Sequence, residues 1–202
     1  MQKIVKTPTK YAKIYKKERG FCMAHWEKQL HSQKIFSGKI FDVVVDDVEI
    51  ENGNHAKREV VYHNGGVAVL AVNDQNEIYL VKQFRYPFLQ EMYEIPAGKR
   101  EKDEDPKLCG IRELKEEIGM EADHFEYLGK MHSSPGCFSE IVYLFLATGL
   151  HSTGQQLDED EFLDVYKVSL DKALEMIEND ELTDAKSQLA VLKYYYLQNK
   201  GK

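Results

Sequence analysis

The sequence has few cysteines and no long apolar run, and these two absences exclude several classes of protein. Its three cysteines, Cys22, Cys109 and Cys137, lie far apart, whereas a zinc site or a disulfide framework needs closer, paired spacing. No apolar run reaches the ~20 residues of a membrane-spanning helix, and the first residues lack the apolar segment of a secretory signal. We therefore expect a cytoplasmic protein with reduced thiols that does not act at a membrane.

Positive charge is scarce beyond the first residues of the chain. The whole sequence has a formal net charge of −7, but residues 1–22 hold seven Lys and Arg against one acid. Positions 23–202 therefore carry 20 basic and 33 acidic residues, a net charge of −13. Such an acidic body repels a polyanion, so we expect no nucleic-acid partner. A small phosphorylated substrate held through a divalent cation is compatible with this charge.

The order of predicted elements is that of a mixed α/β protein with a β-rich start. Residues 34–62 are rich in β-branched and aromatic residues around the turn ENGN, which predicts a small antiparallel sheet. The nearly all-apolar GVAVLAV predicts a central strand covered on both faces, and residues 66–84 together predict a hairpin. We expect a peripheral basic extension over residues 1–29, a β subdomain over 30–62 and a main domain over 63–202.

Further strands and two helices are predicted in the second half of the chain. The strands are FEYLGKMHS, EIVYLFLATGL and LDVYKVSL. Ser169 is a suitable N-cap for the first helix and Thr183 for the second. A core-facing stripe is predicted on the second helix from residues that recur every three to four positions: Ala185, Leu189, Leu192 and Tyr196.

The stretch GKREKDEDPKLCGIRELKEEIGM, residues 98–120, predicts a helix from about residue 106 to 118. Pro106 suits its first turn, and Gly119 suits its end. At ~100° per residue, the acidic Glu113, Glu116 and Glu117 cover about 100° of one side, although like charges at this spacing repel. Two explanations are open: a solvated acidic face, or carboxylates that bind a hard divalent cation. The opposite side is apolar, with Leu108, Ile111, Leu114 and Ile118.

The spacing of this stretch favours the cation site. Gly98 is followed after five residues by Glu104, after seven more by Arg112-Glu113-Leu114, and then by Glu116-Glu117 and Gly119-Met120. This matches G-x5-E-x7-R-E-U-x-E-E-x-G-U, with U aliphatic, at every specified position, and it resembles the signature of the Nudix hydrolases. Chance agreement at nine positions is on the order of 10⁻⁹ per starting point. The resemblance implies an α/β/α sandwich with a mixed sheet and Mg²⁺-dependent hydrolysis of a nucleoside diphosphate linked to another group.

The resemblance also implies roles for residues in and beside the signature. By position, Glu113 and Glu117 resemble the main metal ligands, Glu116 assists them, and Ala97 contributes a backbone carbonyl. Arg112 resembles the residue that orients the glutamates through charge-assisted hydrogen bonds. The implied cofactor is Mg²⁺, with Mn²⁺ as a substitute.

A proline beyond the signature narrows the resemblance to one type of Nudix hydrolase. Pro135, in HSSPGCFSE, lies 15 residues past Met120, as in ADP-ribose pyrophosphatases, and it becomes a candidate substrate-binding residue. The similarity extends through most of residues 30–197 and implies hydrolysis of ADP-ribose to AMP and ribose 5-phosphate. In the sequence DEDEF, which is otherwise a polar loop before a strand, it implies that Glu159 is the general base and Glu161 a metal ligand.

Five further residues are candidates for binding the substrate, again by resemblance. Arg58 and Arg85 resemble the arginines that bind the phosphates, although each alone is also ordinary surface charge. Phe36 and Trp26 are candidates to stack on adenine, with packing as the alternative for both. Ser133 is a candidate contact of the terminal ribose.

The resemblance finally implies a homodimer in which residues 30–62 pack across the two-fold axis. Two alternatives to ADP-ribose hydrolysis stay open. One is a Nudix hydrolase of another nucleotide sugar or of an oxidised nucleotide, and the other is a non-catalytic module that senses ADP-ribose. The intact signature favours an enzyme over the sensing module.

Overall fold

The computed structural model describes residues 25–157 and 161–200 of the chain. The described strands are β1 Glu27–Ser37, β2 Phe41–Ile50, β3 His55–His63, β4 Gly66–Ala71, β5 Glu77–Arg85, β6 Gln90–Glu94, β7 Ala97–Lys99, β8 Met120–His132, β9 Ile141–Ser152 and β10 Leu163–Ser169. The described α-helices are α1 Pro106–Ile118, α2 Leu170–Glu178 and α3 Ala185–Asn199, and a short 3₁₀ helix spans Tyr86–Phe88.

The strands form three sheets. The predicted N-terminal antiparallel sheet is present as β1-β2-β3, with Val43 of β2 opposite Phe36 of β1 and Val61 of β3. A four-stranded mixed sheet has the order β7-β4-β9-β8, in which β4 and β9 run parallel. A third, antiparallel sheet has the order β10-β5-β6.

The predicted hairpin over residues 66–84 is wrong. Strands β4 and β5 follow each other closely in sequence, but they belong to different sheets. Only an isolated bridge between Val72 and Ile78 joins their ends. Alternation and turn residues predict where a strand begins and ends, but they do not identify the strand with which it pairs.

Helices cover both faces of the central β4, which confirms the α/β/α sandwich. Its Ala68 and Leu70 pack in one core cluster with Ala190 and Val191 of α3. Its Val69 packs in a second cluster with residues of α1. All six residues of β4 are buried, as its continuous apolar sequence predicts.

The ends and faces of the last two helices only partly match expectation. Ser169 accepts a hydrogen bond from Lys172 N–H and caps α2 as predicted. Asp184, not Thr183, caps α3, because its carboxylate accepts from Ser187 N–H at 2.9 Å. In the predicted stripe on α3, only Leu189 packs against the core, whereas Ala185, Leu192 and Tyr196 are exposed. The buried residues of α3 are Ser187, Ala190, Val191 and Tyr194. None of the three described helices combines the length and hydropathy needed to cross a membrane.

Candidate active site

Helix α1 begins and ends where its sequence predicts. The Asp105 carboxylate caps the first turn by accepting from Lys107 N–H and Leu108 N–H. Gly119 ends the helix at φ 64°, in the left-handed conformation that favours glycine. The helix therefore presents a fixed face to the strand and loop that precede it.

The buried face of α1 differs from the expected one. Glu113 and Glu117 are 6% and 2% exposed, whereas the apolar Leu108 is 64% exposed and Ile111 is also exposed. Leu114 and Ile118 are buried as predicted. The acidic side thus packs against the protein, and a solvated acidic face does not describe Glu113 or Glu117.

Gly98 of β7 makes room for one of these carboxylates. A Cβ atom at this position would lie 1.8 Å from Cδ of Glu113, far closer than two carbon atoms approach without a bond. The glycine that begins the signature is therefore explained locally, because the Glu113 carboxylate lies directly against the backbone of Gly98.

Arg112 lies between the carboxylates of α1. Its Nη1 is 2.8 Å from Oε1 of Glu113 and 2.7 Å from Oε2 of Glu116. Glu104, in the loop before the helix, also contacts this guanidinium, with its Oε1 3.3 Å from Nε of Arg112. Arg112 therefore fixes the orientation of two glutamates through charge-assisted contacts.

Glu117 is held by the backbone. Ala97 N–H donates to Oε2 of Glu117 at 2.8 Å, so the residue predicted to offer its carbonyl also fixes a predicted metal ligand through its amide. Gln155, in the loop after β9, donates to the Glu117 carbonyl at 2.6 Å. These contacts attach β7, α1 and this loop to one another.

Burial leaves the carboxylates of Glu113 and Glu117 short of positive charge. Desolvation raises the pKa of Glu113 to about 7, and this effect exceeds the stabilisation by Arg112. Desolvation likewise raises the pKa of Glu117 to about 8, against the hydrogen bond from Ala97 N–H. The charge of Glu161 contributes to both increases, so the structure brings Glu161 near the pair.

This donor set fits a hard divalent cation. It offers carboxylate oxygens, which Mg²⁺ prefers, and a cation would offset the unfavourable burial of two anions. In the described parts of the chain no three acidic, histidine or cysteine side chains yet converge at metal-ligand spacing. The carboxylates of Glu113 and Glu116 turn towards Arg112 instead, so a shared cation requires rotation of side chains.

A second charged cluster lies beside this site, and only one of its members was predicted. Arg85 donates through Nε and Nη2 to the two carboxylate oxygens of the buried Glu94. Lys186 of α3 also donates to Glu94 and to the capping Asp184. Although burial opposes it, the two cations keep the pKa of Glu94 below its ordinary value.

Arg58 lies in a different place, on the N-terminal sheet. It pairs with Glu27, with Nη2 2.5 Å from Oε1, and both side chains are partly exposed. Arg58 lines a cavity of about 1020 Å³ whose lining includes Phe41 and Asp46, but none of the three glutamates of α1. The structure of one chain therefore does not bring Arg58 together with those glutamates.

The cavity contains one feature that sequence reasoning missed. Asp46 is buried, and its Oδ1 has no hydrogen-bond partner within the described residues. Its other oxygen accepts from Gln29 Nε2 at 2.8 Å. A buried carboxylate oxygen without a partner is costly, and the alternating pattern of β2 gave no sign of it.

The remaining predicted residues are exposed or lie outside the described residues. Phe36 is exposed and contacts Phe41 at a ring distance of 5.8 Å, whereas Trp26 lines a separate smaller cavity with Arg58. Ser133 and Pro135 are exposed in the segment between β8 and β9. The predicted base Glu159 lies outside the described residues.

The fold and the signature together define a Nudix protein, and comparison with known families agrees. Residues 62–189, more than half of the chain, match the model of the NUDIX domain. The chain therefore belongs to the Nudix family, and it is a Nudix hydrolase.

Two curated relatives are similar over nearly their whole length. The chain is 47% identical to an ADP-ribose pyrophosphatase of Bacillus subtilis (strain 168), over 86% of this chain and 94% of the relative. It is 44% identical to a methanol dehydrogenase activator of Bacillus methanolicus, over 85% and 94%. A crystal structure of an ADP compounds hydrolase has the same fold, with a TM-score of 0.75 at 22% identity over 87% of this chain and 96% of that chain.

Proposed function

We propose that this chain hydrolyses the diphosphate of ADP-ribose to AMP and ribose 5-phosphate in a Mg²⁺-dependent reaction. The observation that carries the proposal is the buried pair Glu113 and Glu117, of which Glu113 contacts Arg112, with too little positive charge for their burial. The 47% identity to an ADP-ribose pyrophosphatase supports the choice of substrate. Location in the cytoplasm stays a prediction.

The residues that would hold Mg²⁺ are those implied by the resemblance, in and outside the signature, and Mn²⁺ would substitute. When bound, the cation neutralises the diphosphate and lowers the pKa of a water molecule. Arg112 keeps the glutamates at a fixed spacing, and Ala97 N–H keeps Glu117 turned towards β7. The proposed ligands are Glu113, Glu117, Glu116, Glu161 and the Ala97 carbonyl.

The general base we propose is Glu159, two residues before Glu161. A carboxylate there would take a proton from the attacking water. The nearby Glu161 raises the pKa of Glu113 and Glu117, so the end of this loop is close to the proposed metal ligands. A Glu159→Gln change should lower kcat and leave the affinity for Mg²⁺ unchanged if Glu159 is the base. Weaker binding of Mg²⁺ would instead indicate a metal ligand.

Two arginines would bind the diphosphate, and the cavity of the N-terminal sheet would hold the nucleoside. Arg85 lies beside the site on β5, while Arg58 lies in the cavity. Within the cavity, Asp46 Oδ1 is suited to accept a hydrogen bond from an amino group of the base. Phe36, Trp26, Ser133 and Pro135 stay as proposed contacts of the adenine and the ribose.

We propose a homodimer, in which a partner brings its N-terminal sheet to this site. Every residue of β1 is exposed, including the apolar Leu30, Ile35 and Phe36, and a long exposed strand of this kind favours association. The separation of Arg58 from the glutamates of α1 within one chain also fits this arrangement. We retain residues 30–62 as the proposed dimerisation subdomain and 63–202 as the hydrolase domain.

The deciding experiment is hydrolysis in ¹⁸O-labelled water with Mg²⁺, followed by mass analysis of both products. We expect AMP and ribose 5-phosphate, one of them labelled, and a higher kcat/KM for ADP-ribose than for ADP-glucose or GDP-mannose. Relatives named GDP-mannose pyrophosphatase, at 30% identity, make GDP-mannose the most informative competitor. Equal or lower kcat/KM for ADP-ribose would assign the enzyme to another nucleotide sugar, and binding without AMP release would favour the sensing module.

A second candidate function is activation of a methanol dehydrogenase. The observation that favours it is the 44% identity to a methanol dehydrogenase activator. Adding the purified protein with Mg²⁺ to a methanol dehydrogenase should then raise its turnover. A dehydrogenase rate that does not change at equimolar protein would remove this candidate.

A further inference from the structure

Lys186, in the first turn of α3, is held among acidic groups next to the proposed site. Its Nζ lies 2.5 Å from Oε2 of Glu94 and 2.9 Å from Oδ1 of Asp184. Its side chain is only 15% exposed, and lysine is seldom buried without specific partners. Lys186 therefore contributes a fixed positive charge at this position.

Lys186 and Arg85 share one carboxylate. Arg85 Nη2 is 2.6 Å from the same Oε2 of Glu94 that Lys186 contacts. Glu94 is almost fully buried, whereas the Arg85 side chain is 37% exposed, so part of the Arg85 side chain is accessible to a ligand. Two cations thus face Glu94, and the charge of Lys186 is shared between Glu94 and Asp184.

Asp184 brings the formal charge of the four groups to zero, and it also caps the helix. Its Oδ2 accepts from Ser187 N–H and from the Ser187 hydroxyl, and a helix N-terminus carries about half a positive charge. Ser187 Oγ also accepts from Ile95 N–H at 2.8 Å. The first turn of α3 therefore holds both Glu94 and the residue that follows it.

We propose that Lys186 is a positioning residue that acts on the substrate diphosphate through Glu94 and Arg85. Lys186 and Arg85 supply the two positive charges that balance Glu94 and Asp184. Without Lys186, the three remaining groups carry a formal net charge of −1, and Arg85 attracts phosphate less strongly. This inference rests on the proposed function, in which Arg85 binds the diphosphate.

The test compares three lysine variants by steady-state kinetics and by calorimetric binding of inorganic pyrophosphate with Mg²⁺. Lys186→Met should raise KM for ADP-ribose and Kd for pyrophosphate about tenfold, with kcat within about twofold, since uniform binding is lost. Lys186→Arg should keep both constants within about threefold of the wild-type values, because the positive charge remains. Lys193→Met removes one positive charge from the same helix, and its KM and Kd should equal those of the wild-type protein.

A double variant decides whether Lys186 acts through Arg85. If it does, adding Lys186→Met to Arg85→Met should change KM and Kd by less than about twofold, because coupled residues are not additive. Additive losses would instead mean that Lys186 contacts the phosphate itself, which overturns the proposal. If Lys186→Met does not fold, Lys186→Gln replaces it in both comparisons.

Two other outcomes would also overturn the proposal. A purely structural lysine predicts a lower melting temperature with unchanged KM and Kd. A fall in kcat alone would place its effect on the glutamates of α1 instead of on Arg85. If the unchanged protein fails to hydrolyse ADP-ribose, the proposed function fails, and the pyrophosphate affinities still decide the role of Lys186.

Discussion

Helix α1 and the N-terminal sheet both pair an arginine with glutamate, and burial makes the two pairs opposite in character. Beside Arg112, burial raises the pKa of Glu113. On β1, by contrast, the hydrogen bond from Arg58 lowers the pKa of the fully exposed Glu27. The same two kinds of side chain thus leave one carboxylate short of positive charge and fully satisfy the other.

The difference separates the proposed chemistry from the proposed recognition. The carboxylates of α1 are fixed by contacts within the chain, and further positive charge would stabilise them. The exposed pair of Arg58 and Glu27 is worth little to stability, and a ligand can exchange with it at low cost. Changes at α1 should therefore alter catalysis and metal-dependent stability, while changes at Arg58 should alter affinity for the substrate.

The largest effect is expected from Glu117→Gln. Loss of a ligand carboxylate should lower kcat with Mg²⁺ on the order of 10³-fold. The glutamine can still accept from Ala97 N–H, and it removes a costly buried anion, so the melting temperature in EDTA at pH 8 should rise. Glu126→Gln, on the exposed surface of β8, is the matched control. Unchanged kcat in Glu117→Gln would remove this residue from the metal site.

A smaller loss is expected from Gly98→Ala. The added methyl group would overlap the Glu113 carboxylate, so the side chain must move away from β7. We expect kcat to fall about 10²-fold, the loss typical of a displaced catalytic group. The melting temperature without Mg²⁺ should change only slightly. Gly136→Ala, where an added Cβ meets nothing within 4 Å, is the control. Equal activity of both variants would show that the position of Glu113 is not critical.

Arg58→Ala should affect affinity more than turnover. We expect KM for ADP-ribose to rise about tenfold, as for loss of one charged phosphate contact, with kcat nearly unchanged. The melting temperature should change little, because the lost pair with Glu27 is exposed. Steady-state kinetics and thermal unfolding measure the two quantities. A fall in kcat without a change in KM would contradict a role in binding.

The smallest effect is a dependence of metal-free stability on pH. Folding raises the pKa of Glu113 to about 7 and of Glu117 to about 8, so the folded state binds protons that the unfolded state releases. This stabilisation is complete at low pH and is lost as pH rises through those values. Between pH 5.5 and 8.5 in EDTA, the melting temperature should fall by several degrees, since about 1 kcal/mol shifts it by roughly 2–4 °C.

Added Mg²⁺ and removal of the two carboxylates provide the controls for this measurement. Mg²⁺ at pH 8.5 should restore the melting temperature, because it binds the ionised carboxylates. The double variant Glu113→Gln with Glu117→Gln should show little fall in EDTA. A fall of the same size in this variant would assign the pH dependence to other groups.

The sequence predicted those parts of the fold that depend on neighbouring residues. The limits of α1 follow from Pro106 and Gly119, and the central position of β4 follows from its continuous apolar sequence. The pairing of β4 and β5 was wrong, since local alternation does not identify partners in a sheet. The cap of α3 was misplaced by one residue because Thr183 and Asp184 are both good caps.

The predicted site shows the same limit. Spacing alone predicted that one helix carries Arg112, Glu113, Glu116 and Glu117. It did not predict that Glu113 and Glu117 are buried. The contact of Glu94 with Lys186 joins residues 92 positions apart, and no periodic pattern reports such a pair. Asp46 was missed for a similar reason, because its isolation depends on what surrounds it in the cavity.

Cys109 illustrates how the surroundings of Arg112 affect chemistry other than hydrolysis. Its thiol is fully buried, lies 3.4 Å from Arg112 Nη2, and has a pKa raised to about 12 by burial. Only the thiolate reacts readily with peroxides and alkylating agents. The folded protein should therefore keep this sulfur intact under oxidative stress, while a maleimide dye would attach at the exposed Cys137.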